Sequence, residues 1–133
     1  LVPLSEIGTK KVEVLAGRRV LLVEDESLVA AFAEEILLEA GCEVILAMSL
    51  DKALALAVDQ GIDLAVLDVN LGSARSYPIA DILRDRAVPF IFATGYGRAG
   101  LDEAYRSAPV VQKPYRIHEL LSCAEGALKD RHQ

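Results

Sequence analysis

Apolar positions along this chain come in two rhythms, short unbroken runs and longer stretches with helical spacing. "RRVLLVED" (Arg18 to Asp25) is an unbroken run that ends in acid. In "ESLVAAFAEEILLEAG", which follows, Leu28, Phe32, Ile36 and Ala40 recur at helical spacing, with Ser27 as the expected N-cap and Gly41 as the stop. "CEVILAM" predicts a second strand, and "SLDKALALAVDQG" a second helix that begins at Ser49 or Asp51 and ends by Gly61. "IDLAVLD" is again an apolar run closed by an acid. After a loop at "VNLGSARS", the stretch "YPIADILRDR" predicts a short helix and "VPFIFAT" a fourth strand. "GYGRAGLDEAYRSAP" has no clear period, "VVQKP" predicts a brief fifth strand, and "YRIHELLSCAEGALKDR" a closing amphipathic helix. Five strands alternating with four or five helices predict a parallel sheet covered on both faces. Residues 1–17 lack a period and read as a linker or tail before a single domain over 18–131.

Composition narrows the function classes. A chain of 133 residues with 53% hydrophobic and 26% charged residues fits one soluble globular domain. The net charge of −6, without a cluster of Lys and Arg, speaks against nucleic-acid binding by this domain. No apolar run approaches the roughly 18 residues that span a bilayer, and no signal-peptide pattern opens the chain, so membrane contact is not expected. Cys42 and Cys123 stand apart, without metal-ligand spacing, as small buried or half-buried thiols suited to the cytoplasm. The start on Leu1 and the ragged lead-in read as a linker from an upstream domain.

In open α/β sheets, ligands sit beyond the carboxyl ends of the strands. Those ends carry Glu24 and Asp25, then Asp68, then Thr94, then Lys113 followed by Pro114. Singly, each has a structural explanation, since strand-end acids cap helices, Thr favours strands and Lys is solvated. Jointly, they put carboxylates side by side, where they repel and raise one another's pKa unless a cation lies among them. Mg²⁺ suits such a site, because it takes oxygen ligands and keeps waters that a substrate oxygen can displace. His118 and His132 have no neighbours that would make a phosphotransfer site, and "ATGYG" lacks the spacing of a dinucleotide fingerprint. "LDEAYR" is read as a solvated surface segment, and no Ser–His pairing suggests a hydrolase.

With "VLLVEDE", "LAVLDVNLG", "FATG" and "QKPY" in this order and spacing, the chain resembles the receiver domains of bacterial two-component response regulators over about Arg18 to Arg131. The resemblance implies a flavodoxin-like, CheY-like doubly wound α/β fold with a five-stranded parallel sheet of order 2-1-3-4-5. It implies a phosphoacceptor at Asp68, Mg²⁺ ligands in Glu24, Asp25, Asp68 and the backbone carbonyl of Asn70, a switching hydroxyl at Thr94 and a phosphate-pairing ammonium at Lys113. The implied partner is a histidine kinase or histidine phosphotransfer protein, with homodimers also open. Such a domain is not an enzyme acting on a diffusible substrate; it catalyses its own phosphorylation and dephosphorylation. It is either a stand-alone regulator or the C-terminal receiver of a hybrid histidine kinase, the latter favoured by the lead-in. The alternative is a receiver-like interaction module that signals without phosphorylation.

The chain departs from the common receiver pattern in two places. The position three before the lysine, usually aromatic, is Val110, so the usual switch from threonine to aromatic cannot operate as such. Thr94 follows Asp68 by 26 residues, which predicts a shortened third helix or loop. "FATGYG" with "VVQKPY" resembles the FATGUY receivers, associated with HWE-type histidine kinases, in which the segment after the motif is loop rather than helix. On this reading Tyr96 takes over part of the missing aromatic's role, and Gly95, Gly97 and Gly100 leave the run to Ala108 mobile.

Overall fold

The unbroken apolar runs become the centre of a sheet. In the structure, a computed structural model that describes residues 14–59 and 61–130, β1 (Arg19–Val23), β2 (Glu43–Ala47), β3 (Leu64–Asp68), β6 (Phe90–Thr94) and β7 (Val110–Gln112) form one five-stranded sheet. Its order is β2-β1-β3-β6-β7, every pairing is parallel, and this is the expected 2-1-3-4-5 arrangement. A two-stranded antiparallel hairpin, β4 (Asn70–Leu71) and β5 (Ala74–Arg75), interrupts the chain just after β3. The α-helices that flank the sheet are α1 (Ser27–Glu39), α2 (Leu50–Ala57), α3 (Tyr77–Asp85) and α4 (Ile117–Lys129).

Alternation along the strands sorts the core into two layers. Val20, Leu22, Leu64, Val66, Ile91 and Val111 face α1 and α4, meeting Ala33, Leu37, Leu120 and Ala124. Leu21, Val23, Ala65, Leu67, Phe90 and Phe92 face α2 and α3, meeting Ala53, Ala57, Ile79 and Leu83. The middle strands β3 and β6 are buried throughout, which is why they carry no alternation of polar residues. Truncating a fully buried residue here, such as Leu67→Ala, costs about 2–5 kcal/mol.

Helix ends follow local chemistry. Ser49 caps α2, its side chain accepting from the backbone N–H of Lys52 at 3.2 Å. At the end of α1, Gly41 has φ +94, its N–H reaches the carbonyl of Leu38 and that of Cys42 reaches Leu37. A side chain at Gly41 would also press on the Ala16 backbone at 3.1 Å. The N-cap of α1 is Glu26 rather than Ser27, which is the first helical residue, and no side chain caps that end.

Two further expectations are corrected, and one residue before the expected domain start packs into the core. Of the expected stripe of α1, Ile36 and Ala40 are buried, joined by Ala30, Ala33 and Leu37, while Leu28 and Phe32 are 86% and 44% exposed. This helix is apolar around much of its circumference, so two stripes fit its period, and the small alanines are the ones that pack under the sheet. "LDEAYR" is not wholly solvated, since Leu101 is 2% exposed and Tyr105 is half-buried. Residues 1–13 of the expected linker, and Arg131 and His132, lie outside the described residues, but packing reaches back past the 17/18 boundary because Leu15 is fully buried in the α1–α4 layer.

Candidate functional site

Parallel strands deliver their final residues to one edge. Glu24 follows β1, Asp68 ends β3, and Lys113 follows β7. The Lys113 ammonium lies 2.8 Å from Glu24 Oε1 and 3.2 Å from Asp68 Oδ2, so one half-buried cation holds two buried acids. Glu24 is fully buried, and its other oxygen accepts from the Glu26 backbone N–H at 3.2 Å. Asp68 Oδ1 accepts from the Asn70 backbone N–H at 3.4 Å, which places exposed Asn70 at the rim. Asp25 is exposed, and Gly72 of the β4–β5 hairpin, at φ +62, donates to its Oδ2 at 2.8 Å.

The charges do not balance. Three acids gather around one ammonium, and burial followed by the hydrogen bond and charge of Glu24 pushes the Asp68 carboxyl up to about 7, against the opposing pull of Lys113. Burial alone would lower Lys113, but the hydrogen bond to Glu24 and the charges of Asp68 and Glu24 outweigh it and hold the ammonium above its ordinary value. Lys113 is therefore a fixed positive charge. Carboxylate oxygens of Glu24, Asp25 and Asp68 all lie within 4.8 Å of one another, a hard oxygen donor set. The donor chemistry and the excess negative charge both fit Mg²⁺.

Thr94 stands beside this cluster, 2% exposed, with its backbone carbonyl accepting from the Lys113 N–H at 2.9 Å. Its hydroxyl accepts from the Tyr96 N–H at 3.1 Å, and none of the described hydrogen bonds joins it to Asp68 or Lys113. Gln112 reaches from β7 to the same turn, its Nε2 donating to the carbonyls of Gly95 (2.9 Å) and Lys113 (3.1 Å). Tyr96 is 76% exposed. Val110 pairs with Phe92 and is half-buried in the α2–α3 layer, where Tyr105 also packs.

From β6 to β7 the chain makes two short 3-10 turns, Gly97–Gly100 and Glu103–Tyr105, in place of an α-helix, as expected for this segment. The segment is nonetheless fastened, because Arg98 donates to the carbonyls of Arg106 and Ala108, and Tyr105 stacks on Tyr77.

The structure thus brings together Glu24, Asp25, Asp68, Asn70 and Lys113, and sets Thr94 next to them. Exposed His118 lies on α4 in its first turn, and His132 is outside the described residues. Cys42 is buried and Cys123 half-buried, both free, and burial pushes each thiol up to about 11. Sequence reasoning missed Gln112, Gly72 and the Tyr77–Tyr105 pair. Gln112 adjoins Lys113 and could have been noticed for that, whereas the tyrosine contact spans 28 residues and leaves no local signal. Also missed was an apolar groove lined by Leu28, Val29, Phe32, Lys113, Pro114 and Tyr115, which opens directly beside the acid cluster.

Comparison with known families matches residues 20–125 to the response regulator receiver domain. No curated protein matches the chain. Among solved structures, SdrG from Sphingomonas melonis Fr1 is 38% identical, with a TM-score of 0.75, over 86% of this chain and 98% of that one. The non-phosphorylated HemR receiver domain from Leptospira biflexa is 28% identical, with a TM-score of 0.71, over 84% and 94%. The response regulator PhyR from Brucella abortus is 26% identical, with a TM-score of 0.78, over 97% of this chain and 54% of PhyR.

Proposed function

The chain belongs to the response regulator receiver domain family, and on that premise we propose that it accepts a phosphoryl group on Asp68 from the phosphohistidine of a histidine kinase or histidine phosphotransfer protein. The observation that carries this reading is the meeting of Asp68 with Lys113 and two further acids at the end of a central strand. In the transfer, an Asp68 carboxylate oxygen forms the new O–P bond as the P–N bond to the donor imidazole breaks and the imidazole leaves. Two anions must approach each other, so the barrier is electrostatic, and the protein lowers it by positioning fixed charge. Lys113, held at 3.2 Å from the Asp68 carboxylate, offsets charge on the incoming phosphoryl oxygens. Glu24 keeps that ammonium in place. Asp25, Asp68 and the Asn70 carbonyl would hold Mg²⁺, with Glu24 contributing through water. A metal held there would supply positive charge, which would favour ionised Asp68 and offset charge on the phosphoryl oxygens.

Once Asp68 is modified, the phosphoryl oxygens are new acceptors for the Thr94 hydroxyl, which among the described hydrogen bonds accepts from the Tyr96 N–H and is the donor in none. The signal then leaves through the run from Gly95 to Ala108. The exposed Leu28 and Phe32 beside Lys113 and Pro114 support docking of a phosphodonor protein there, since an apolar surface next to the acceptor seats the donor. "FATGYG", Val110 and the absence of an α-helix after β6 support assignment to the FATGUY receivers and to HWE-type kinases. We assign the receiver domain to 18–131, with Leu15 before it packed into the α1–α4 layer, and place it in the cytoplasm; among the described residues no helix is long and apolar enough to cross a membrane. The test is incubation with acetyl phosphate and Mg²⁺ followed by intact mass. A gain of one phosphoryl group that is lost with EDTA is the expected result, and an unchanged mass under both conditions would favour a module that signals without phosphorylation.

A further inference from the structure

Two contacts of the segment between β6 and β7 bear on Thr94. At the segment's outer end the Tyr105 ring lies parallel to that of Tyr77, with centroids 4.2 Å apart and planes at 9°, and edge-on to Phe92 at 6.0 Å. The Tyr105 hydroxyl donates to Asp81 Oδ1 on α3 at 2.8 Å, and the Tyr77 hydroxyl accepts from the Asp102 N–H at 2.7 Å. Each tyrosine therefore bonds to the element that carries the other. At the inner end Gly100 lies against Thr94, where a Cβ would come within 2.8 Å of the threonine Oγ1 and 3.0 Å of Tyr96 Cβ. Gly100 does not have a left-handed backbone, so the glycine is there for room rather than torsion. Between the two ends lie Leu101, 2% exposed, and the pinned Asp102, so Gly100 cannot shift far without disturbing the stacked rings.

We propose that Tyr105 is a positioning residue for Thr94: its stack on Tyr77 holds Gly100 against the threonine hydroxyl and so opposes the movement of Thr94 toward an oxygen on modified Asp68. This rests on the phosphoacceptor reading of Asp68. The aromatic that governs the threonine is then supplied by the loop, on the side of the core where Val110 has no ring to offer. Loosening the stack makes the activated arrangement easier to reach, because the resting state loses a contact that the activated state does not keep.

The test is titration of beryllofluoride, with saturating Mg²⁺, into wild type, Tyr105→Phe and Tyr105→Ala, each also in a Thr94→Ala background, followed by backbone amide NMR. Tyr105→Ala is expected to bind beryllofluoride about two- to tenfold more tightly than wild type, the range that loss of one aromatic pair allows. Tyr105→Phe keeps the ring and loses only the bond to Asp81, so its affinity falls between the two. With Thr94→Ala the gain disappears, which a merely structural effect would not do. Wild-type affinity in Tyr105→Ala, or an undiminished gain without Thr94, overturns the proposal. If Tyr105→Ala does not fold, Tyr77→Phe keeps both rings while releasing Asp102, and it should show faster amide exchange at Asp102 together with tighter beryllofluoride binding; no change in either overturns the proposal too. Labelling of wild type by acetyl phosphate separates the two readings. Labelled protein with an unresponsive Tyr105 refutes the latch alone, whereas protein that neither labels nor binds beryllofluoride refutes both.

Discussion

Asp68→Asn keeps the shape of the side chain and removes its charge. In the metal-free protein the Asp68 carboxyl is pushed from 3.8 to about 7, chiefly by burial and then by Glu24. Because the folded pKa lies above the unfolded one, the folded state binds this proton more tightly. The resulting stability is fully present below about pH 4 and is lost as pH rises through about 7. At about 1.4 kcal/mol per tenfold in proton affinity, that gap sets a ceiling of about 4 kcal/mol. Coupling to Glu24 and the loss of the Lys113 contact in the variant both reduce it. Asp68→Asn is therefore expected to be more stable than wild type by about 1–3 kcal/mol at pH 8 in EDTA, with the difference shrinking toward pH 4. Urea denaturation of both proteins between pH 4 and 8 measures this. On the proposed metal site, Mg²⁺ should close the gap at pH 8, since it would stabilise the wild type by binding its folded state and would lack a ligand in the variant. A variant that is less stable than wild type at pH 8 in EDTA would refute the reasoning and show that Lys113 more than compensates the buried charge.

Three further outcomes follow from the same geometry. Lys113→Ala leaves fully buried Glu24 without its cation and should cost about 3–5 kcal/mol by urea denaturation, together with loss of beryllofluoride binding. Asp25→Ala should weaken Mg²⁺ binding more strongly than Glu24→Ala in a fluorescence or NMR titration, because the Asp25 carboxylate is free of Lys113; wild-type Mg²⁺ affinity in Asp25→Ala would contradict the metal site. Gly100→Ala forces a methyl onto the Thr94 hydroxyl and should destabilise the fold by about 1–3 kcal/mol in the same denaturation assay.

The strands are legible in the sequence because β1, β3 and β6 are buried on both faces and so read as unbroken apolar runs. The acid cluster and Lys113 are legible for a related reason: in a parallel sheet, residues that end successive strands must meet at one edge. What periodicity could not decide is which face of α1 is buried, since Ala30 and Ala33 pack as effectively as larger residues when a helix lies close to the sheet, leaving Leu28 and Phe32 outside. The segment from Gly95 to Ala108 was legible as lacking an α-helix but not as fastened, because its outer anchor is tertiary. Tyr105 meets Tyr77 and Asp81, and Gly100 meets Thr94, through contacts that no local pattern encodes.

The central claim is that Asp68 receives the phosphoryl group. The most direct measurement is to label the protein with acetyl phosphate and Mg²⁺, trap the acyl phosphate by borohydride reduction, digest it, and locate the modified residue by tandem mass spectrometry. Reduction confined to Asp68, and absent from Asp68→Asn treated in parallel, is the predicted result. Modification at Asp25 or elsewhere, or undiminished labelling of Asp68→Asn, would contradict the account.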